Sequence, residues 1–440
     1  MQRLITSILL LASITTWGQT FNVAKLDSFL SALANQDLAM GSLAISKNGK
    51  ILYQRAIGYA LIDAGKKIPA DIHTKYRIGS TSKMFTAVMI FQLMEEGKLN
   101  LNQKLEQYFP DLPNANKITI SNLLNHRSGL HDYTHDTNFP DWMDKPKTHE
   151  EMLEIIKEKG SDFEPGTQVD YSNSNYLLLS YIIEHICSMP YEQALKQRIT
   201  KKIGLTDTYF GQPIDYSRNE STSYKYGDKT WKKEKETDLS IHSGAGSLVS
   251  TPTDLVKFME ALFTGKLIKK SSLEKMQTIV DGYGMGMFPF DHGTIKGFGH
   301  NGRIEEFYSA LRYFPGDQLS FAYCTNGIDY PRIDIIEGIL KICYNETFII
   351  PFSRKTILDS NELNKLTGMY ATDQRSIIVT VTKEGLKIFA ETKGKRFELE
   401  EVAKNYFMHS STGYFFDFHP EKNELLIKET DNTYYLKRDR

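Results

Sequence analysis

The sequence predicts an α+β fold followed by a small all-β unit, and three patterns in its 440 residues lead to this class. Apolar runs at residues 41–46 and 51–58 flank an Asn-Gly pair, which is a strong signal for a β-hairpin. Helical and looped patterns fill residues 100–203, and strand patterns return between residues 283 and 325. From residue 366 onward, short β-rich runs alternate with turn residues, which favours a small antiparallel barrel or sandwich.

The individual elements follow from the period of the apolar residues. Helices are predicted at residues 21–38, 80–97, 120–125, 150–159, 175–187, 252–265 and 332–344. Strands are predicted at residues 41–46, 51–58, 283–287, 297–300, 307–314 and 319–325, and in the C-terminal unit at 376–382, 386–390, 414–418, 425–428 and 434–437. The composition changes after Pro351, which indicates a domain boundary near residue 354.

The first 18 residues have the pattern of a signal peptide. A charged Arg3 precedes an apolar run at residues 4–14, and Thr16 and Gly18 supply small residues for cleavage. The apolar run is shorter than the roughly 20 residues that a membrane span needs. We therefore expect an exported protein, periplasmic or secreted, with no transmembrane segment after signal removal.

Composition bounds the function only broadly. A hydrophobic content of 40% suits a globular chain of two or three domains, and a net charge of −1 gives no reason to expect nucleic acid as a partner. Cys187, Cys324 and Cys343 all lie in apolar contexts typical of buried thiols, so we expect no essential disulfide, although two of them could pair.

The helix that begins at Ser80 carries the first chemical signal. Its apolar residues recur at helical spacing and predict an amphipathic helix: Met84, Ala87, Val88, Phe91 and Met94. Lys83 stands about one turn after Ser80, so its amine lies beside the Ser80 hydroxyl and could accept its proton. The alternative is an ordinary N-cap serine followed by a surface lysine.

Two later groups favour the chemical interpretation. Tyr171 and Asn173 precede the helix predicted at residues 175–187, and His300-Asn301-Gly302 lies on a predicted strand. In this order, with Ser80-x-x-Lys83, the sequence resembles the serine β-lactamase and penicillin-binding-protein superfamily, in its class C β-lactamase, DD-peptidase and esterase branch. The resemblance covers about residues 21–344, and further matching segments are residues 76–79, 123–130, 165–166, 245–248 and 283–286.

The resemblance implies the arrangement of the domains. A β-lactamase-like hydrolase domain is expected at residues 19–350, with an antiparallel α/β core sheet made from both chain ends, flanking helices and an inserted all-helical lobe. The active site would lie in the cleft between sheet and lobe. Residues 355–440 resemble the small lipocalin-like domains appended to some of these hydrolases.

The resemblance also implies catalytic roles. Ser80 would attack a carbonyl through an acyl-enzyme, with Lys83 and Tyr171 sharing the proton transfer. A phenol with a reference pKa near 10 acts as a base only if nearby cations stabilise its anion, and Lys83 and a protonated His300 are the candidates.

Substrate binding would fall to Asn173 and the strand motif. Asn173 would hydrogen-bond polar groups of the substrate, and Gly302 would let it lie against the strand. The backbone amides of Ser80 and Arg303 would form the oxyanion hole.

Where relatives carry Lys-Thr-Gly or Lys-Ser-Gly, this chain has His300-Asn301-Gly302, which weakens capture of a β-lactam carboxylate. Residues 303–306 replace a glycine-lined rim with a charged mouth, in which Arg303 could supply the missing charge. Esters, D-amino peptides and β-lactams all remain open as substrates, and the rival class is a catalytically silent sensor of the same fold. No cofactor is expected, nor a metal site among the nearby histidines, which are His126, His131 and His135.

Overall fold

The computed structural model describes residues 21–63, 65–353 and 359–439. The predicted signal peptide and the predicted start of the C-terminal domain at residue 355 lie outside the described residues, so both stay predictions.

Helices and strands follow one another in the order that the apolar patterns indicate. The helices are α1 Val23–Asn35, α2 Ser82–Glu95, α3 Ile120–Leu124, α4 His149–Lys159, α5 Asn173–Cys187, α6 Tyr191–Leu195, α7 Lys201–Ile203, α8 Pro252–Phe263, α9 Lys270–Met276, α10 Arg332–Cys343 and α11 Ser360–Leu366. The strands before the C-terminal unit are β1 Ala39–Lys47, β2 Lys50–Ile57, β3 Tyr59–Asp63, β4 Lys66–Pro69, β5 Tyr76–Arg77, β6 Tyr209–Phe210, β7 Tyr224–Gly227, β8 Thr230–Lys233, β9 Leu248–Ser250, β10 Phe288–Pro289, β11 Phe298–Ile304, β12 Phe307–Phe314 and β13 Leu319–Ile328. The C-terminal strands are β14 Gly368–Ala371, β15 Ile378–Glu384, β16 Lys387–Thr392, β17 Lys395–Ala403, β18 Tyr406–His409, β19 Tyr414–His419, β20 Glu424–Lys428 and β21 Thr433–Arg438.

The central sheet is built from both ends of the hydrolase domain, as predicted. Its strand order is β10-β11-β12-β13-β1-β2, and every pair is antiparallel. One face packs on α1 and α10, where Phe29 and Ile339 share a core with Phe321 and Tyr323. The opposite face packs on α2, α8 and the helical lobe inserted between β5 and β9. The predicted fold class is confirmed.

Helix α2 differs from its prediction in one respect. We expected an amphipathic helix, but twelve of its fourteen residues are buried, from Ser82 to Leu93. The helix runs through the interior between the sheet and the lobe, so no face of it meets water. Thr81, the residue that follows Ser80, is also fully buried.

The predicted strand at residues 283–287 is wrong. This segment is a turn with an isolated bridge between Val280 and Tyr283, and β10 begins only afterwards. Gly286 has φ +81°, and a Cβ there would lie 2.5 Å from the Ala87 Cβ of α2. Gly286 thus marks a close approach to the buried helix, and Gly284 a close approach to the backbone of Met276 in α9, rather than a strand.

The C-terminal unit is a closed eight-stranded barrel in which each strand pairs with its sequence neighbour and β14 closes on β21. Strands β14, β17 and β18 escaped prediction, as did the small sheets formed by β3 to β9. The barrel also shares a core with the hydrolase domain, because Tyr406 and Phe415 pack among the side chains around α10. Within the described residues, no helix is long and apolar enough to cross a membrane.

Candidate active site

Ser80 lies in a single 3₁₀ turn, Gly79–Thr81, directly ahead of α2. Gly79 has φ +50°, and a Cβ there would approach the backbone atoms of Arg303 to 2.6–2.7 Å. A side chain at this position would push the turn away from β11, so the glycine allows the nucleophile to sit against that strand. Ser80 itself keeps part of its surface exposed, as a residue that meets substrate must.

Lys83 is fully buried beneath the nucleophile and points its amine at it. Its Nζ donates to Ser80 Oγ at 3.0 Å, to Asn173 Oδ1 at 2.7 Å and to the Ala245 carbonyl at 2.7 Å. Burial lowers the pKa of Lys83 to about 7, against a smaller opposing effect of the Asp132 charge. An amine with this pKa is substantially neutral near pH 7 and can accept a proton from the serine.

Tyr171 lies beside this pair, and the neighbouring Ser80 hydroxyl lowers the pKa of its phenol against the larger, opposite effect of burial. The Lys83 ammonium lies 4.9 Å from the centre of the Tyr171 ring. Burial raises the pKa of the Tyr171 phenol, so the group is protonated at neutral pH.

The sequence-based idea of a phenolate base held by two cations therefore fails. Burial lowers the pKa of His300 to about 3, so this imidazole is neutral, and Lys83 is only partly charged near pH 7. Of the two groups, Lys83 is the one with an unprotonated form available near pH 7, whereas the Tyr171 phenol keeps its proton.

His126 is a support residue whose function the sequence alone did not reveal. It is buried with φ +58°, and its ring stacks on Tyr171 with ring centres 4.4 Å apart. Its Nδ1 accepts a hydrogen bond from the Ser172 backbone N–H at 3.1 Å. Both contacts fix the loop that carries Tyr171. In the sequence, the only sign of this residue was its place in the matching segment at residues 123–130.

Asp132 is a second support residue that was missed. Its carboxylate accepts from the Asn173 backbone N–H at 3.0 Å and from Asn173 Nδ2 at 2.9 Å. Because Asn173 Oδ1 accepts from Lys83, the amide is held on both sides. Asn173 thus orients the lysine, in addition to the substrate contact that the resemblance implies. Asp132 is 41 residues from Asn173, which is why no local pattern links them.

The motif at His300 divides between the two faces of β11. His300 and Gly302 are on the front face, which we define as the face toward α2 and Lys83. A Cβ at Gly302 would lie 1.9 Å from the Ile78 carbonyl oxygen, so only glycine permits the strand to approach the Ser80 turn. The Arg303 backbone against Gly79 is the placement that an oxyanion hole with the Ser80 amide requires.

Asn301 and Arg303 project their side chains to the back face, toward α10 and the barrel, because neighbouring residues of a strand alternate. Asn301 Oδ1 accepts from Arg312 at 2.6 Å, and Arg303 Nη1 binds Asp431 of the barrel at 2.8 Å. The expectation that the Arg303 side chain is a free cation at the mouth is therefore wrong.

Of the three histidines near this site, His131 is paired with carboxylates. His131 Nδ1 lies 2.9 Å from Asp162, and its Nε2 lies 3.4 Å from Asp136. Among the residues that the structure describes, no group of three or more His, Cys, Asp or Glu side chains is arranged to hold a metal ion.

Comparison with known proteins agrees with this geometry. Residues 26–337 match the family described as Beta-lactamase. The teichoic acid D-alanine hydrolase of Staphylococcus aureus is 28% identical over 243 residues, which cover 55% of this chain and 58% of that protein. The D-amino acid amidase of Ochrobactrum anthropi SV3, solved with D-phenylalanine, is 27% identical with a TM-score of 0.66 over 73% of this chain and 99% of that one.

A further solved structure extends the likeness of fold to the barrel. The octameric penicillin-binding protein homologue from Pyrococcus abyssi has a TM-score of 0.68 at 24% identity, over 94% of this chain and 100% of that one. Because the family match spans most of its length, this chain belongs to the beta-lactamase family and is a serine hydrolase of the β-lactamase and penicillin-binding-protein fold.

Proposed function

We propose that this protein is an exported hydrolase that cleaves ester or amide bonds of D-aminoacyl or D-peptide substrates through an acyl-enzyme at Ser80. The observation that carries the proposal is the 3.0 Å hydrogen bond between Ser80 Oγ and a fully buried Lys83, whose pKa burial lowers to about 7. Export rests on the signal-like pattern of residues 1–18.

In acylation, the neutral Lys83 amine takes the proton of Ser80 as Oγ bonds to the substrate carbonyl carbon. The negative charge that develops on the carbonyl oxygen is stabilised by the backbone N–H groups of Ser80 and Arg303, which typically contribute about 3–4 kcal/mol each. The bond to the leaving group then breaks, and the Tyr171 phenol donates its proton to the departing oxygen or nitrogen. The Lys83 ammonium returns a proton to Tyr171, so charge and protons balance.

Deacylation reverses these roles with water. Lys83, neutral again, takes a proton from a water molecule that attacks the acyl carbonyl, and Ser80 leaves with a proton supplied by Tyr171 or Lys83. Asn173 holds the lysine amine between these partners, and Asp132 holds Asn173. The complete set argues against a catalytically silent sensor, which has no need of a deprotonable lysine beneath its serine.

The choice of substrate rests on two supports. Relatives of this fold include a teichoic acid D-alanine hydrolase and a D-amino acid amidase. Both names describe enzymes that act on derivatives of D-amino acids. At the strand motif, His300 is neutral and the Asn301 amide oxygen is occupied by Arg312, so a β-lactam carboxylate lacks the charge-assisted partner it needs. β-Lactams are therefore the weakest candidates among the three classes.

A two-part experiment tests the proposal. The full chain is incubated with a fluorophosphonate probe, and mass analysis should place the adduct on Ser80 and nowhere else. Ser80→Ala should prevent labelling, whereas the matched control Ser410→Ala, an exposed barrel serine, should leave it intact. Labelling that persists in Ser80→Ala would overturn the assignment of the nucleophile.

Hydrolysis is then compared for D-alanine p-nitroanilide, its L-enantiomer, p-nitrophenyl acetate and nitrocefin. We expect the D-anilide or the acetate to exceed nitrocefin by at least about tenfold, because a neutral motif loses a charge-assisted bond to the carboxylate. A preference for the L-anilide, or for nitrocefin, would overturn the substrate class while leaving the serine hydrolase assignment intact.

A further inference from the structure

The two backbone amides proposed for the oxyanion hole belong to two different sheets. Ser80 follows β5, which pairs with β9 in a three-stranded sheet, whereas Arg303 lies on β11 of the central sheet. Within the described part of the chain, no backbone hydrogen bond joins residues 77–81 to residues 301–306. Other contacts must therefore fix the distance between the two amides, since no strand pairing does so.

A buried ion pair connects the two segments. Arg77 Nη1 donates to Glu305 Oε1 at 2.6 Å, and the exposed fractions of the two side chains are only 3% and 1%. Arg77 stands three residues before Ser80. Glu305 stands two residues after Arg303, as the first residue beyond β11. Its side chain is therefore not part of the charged mouth that the sequence predicts for residues 303–306.

The same two side chains also bind a third segment, at residues 236–237. Arg77 donates to the Thr237 carbonyl at 2.8 Å and to Glu236 Oε2 at 3.0 Å. Glu305 Oε1 accepts from the Thr237 backbone N–H at 2.6 Å. Each of these hydrogen bonds involves a charged group and a defined direction, so together they fix the three segments relative to one another.

Ser309 of β12 provides a second connection between the sheets. Its Oγ donates to the Ile78 carbonyl at 2.7 Å, and Ser309 stands opposite Gly302 in the register of β11 and β12. Arg303 thus lies between two fixed points, one at the level of Gly302 and the other at Glu305.

Several features at Glu305 oppose the stability of the fold. Glu305 has φ +51°, a left-handed conformation that favours glycine. Burial raises the pKa of its carboxyl, against the opposing effect of the Arg77 charge. Glu305 Oε2 and Arg77 Nε are both buried without a hydrogen-bond partner among the described residues. Because desolvation offsets much of the attraction in a buried ion pair, apolar residues of similar volume would stabilise the fold about as well. The geometry that the pair imposes therefore explains it better than stability does.

We propose that Arg77 and Glu305 are positioning residues of the oxyanion hole. The pair holds the N–H groups of Ser80 and Arg303 at the separation that one developing oxyanion requires, and it acts through the two backbone segments. The inference rests on the proposed function and deepens it, since it gives the residue after β11 a part in stabilising the transition state. A misplacement of about 1 Å in such a site can lower the rate by about 10²-fold.

The experiment compares p-nitrophenyl acetate with its thiono analogue, in which sulfur replaces the carbonyl oxygen. Sulfur accepts hydrogen bonds weakly, so the ratio of kcat/KM for the oxygen ester to that for the thiono ester reports the hydrogen bonds of the hole. Glu305→Gln keeps the size of the side chain and removes its charge. It should lower this ratio about tenfold and change kcat/KM for the thiono ester by less than about threefold.

Arg77→Lys is the second variant, because it keeps a cation but loses the planar set of donors, and it should lower the ratio as well. If the thiono ester is turned over too slowly to measure, phenylboronic acid replaces it. Its tetrahedral adduct with Ser80 places an oxygen in the hole, so its inhibition constant should rise about tenfold in both variants.

The matched control is Asp334→Asn, which removes the charge of a carboxylate paired with Lys428 between α10 and the barrel. This variant should have a lower melting temperature and an unchanged ratio. All rates are measured well below the lowest melting temperature. A loss of folded protein lowers the rates for both esters together, so it leaves their ratio unchanged.

Unchanged ratios in folded Glu305→Gln and Arg77→Lys, or an unchanged inhibition constant where the boronic acid is used, would overturn this inference alone. Failure of both variants to fold would also overturn it, because the pair would then be a requirement of the fold. If the wild type hydrolyses neither ester and Ser80 takes no fluorophosphonate probe, the proposed function falls first and this inference with it.

Discussion

The two faces of β11 differ in the residues that they contact. On the front face, His300 and Gly302 are buried and uncharged, and they bring the strand into contact with the Ser80 turn. On the back face, Asn301 and Arg303 enter a network of charged groups that reaches into the barrel. The difference shows that four successive residues, the three of the motif and Arg303, contact two different surfaces, because side chains of a strand alternate. The front face contacts the turn that carries Ser80, and the back face contacts α10 and the barrel.

The largest effect should come from removing the nucleophile that the front face supports. Ser80→Ala should lower kcat/KM for the preferred ester by at least about 10⁴-fold, because no other group can form the acyl-enzyme. Its melting temperature should stay close to that of the wild type, since Ser80 is partly exposed. Retention of more than a few per cent of the activity would show that another residue is the nucleophile.

The next largest loss of activity should come from removing Lys83 or Tyr171, the two groups proposed to transfer the proton. Lys83→Ala and Tyr171→Phe should each lower kcat by about 10²–10⁴-fold, as expected for loss of general acid–base catalysis. Tyr171→Phe preserves the stacking on His126, so circular dichroism should be unchanged. A wild-type rate in either variant would remove that residue from the mechanism.

A comparison of Gly302→Ala with Asn301→Ala tests directly whether the two faces of β11 have separate roles. A Cβ at Gly302 would collide with the Ile78 carbonyl and displace the oxyanion strand, which should cost about 10²-fold in kcat/KM. Asn301→Ala, its neighbour on the back face, should cost less than about tenfold. Equal losses in the two variants would contradict the separation of the faces.

The pH profile should report the buried lysine. Lys83 must be neutral to accept the Ser80 proton, and its pKa is lowered to about 7, so activity is expected to rise with pH through this value. Below pH 7, kcat/KM should fall about tenfold per pH unit, as for a single essential base. An inflection near pH 10 would instead mean that Lys83 keeps its ordinary pKa. Lys83→Arg, which cannot lose its proton, should be inactive at every pH.

The smallest effect should be that of chelation. Dialysis against EDTA should leave turnover unchanged, since His131 near the site is paired with Asp162 and Asp136. If EDTA inhibited turnover and added zinc restored it, a metal would have to lie in the site and the mechanism would have to be revised.

The sequence by itself determined the class of fold, and it indicated the candidate nucleophile and the order of the other candidate groups along the chain. Asn-Gly between apolar runs encodes the β1–β2 hairpin, and Ser80-x-x-Lys83 places two side chains one helical turn apart. Such signals are local, because a turn or a helical period depends on residues within a few positions of one another. For the C-terminal unit a small antiparallel barrel or sandwich was predicted; the structure is a closed barrel, and its strands β14, β17 and β18 were not recognised.

Only the tertiary structure decided what surrounds these groups. The lowered pKa of Lys83 comes from complete burial, which requires the sheet, the lobe and the segment around Ala245 to pack around it. Asp132 and His126 reach the Tyr171–Asn173 loop from more than 40 positions away. Desolvation and long-range contacts depend on every element that closes around a site, and no local pattern records them. The pairing of Arg303 with Asp431 follows the same principle across 128 residues, since it exists only once the barrel has docked on α10.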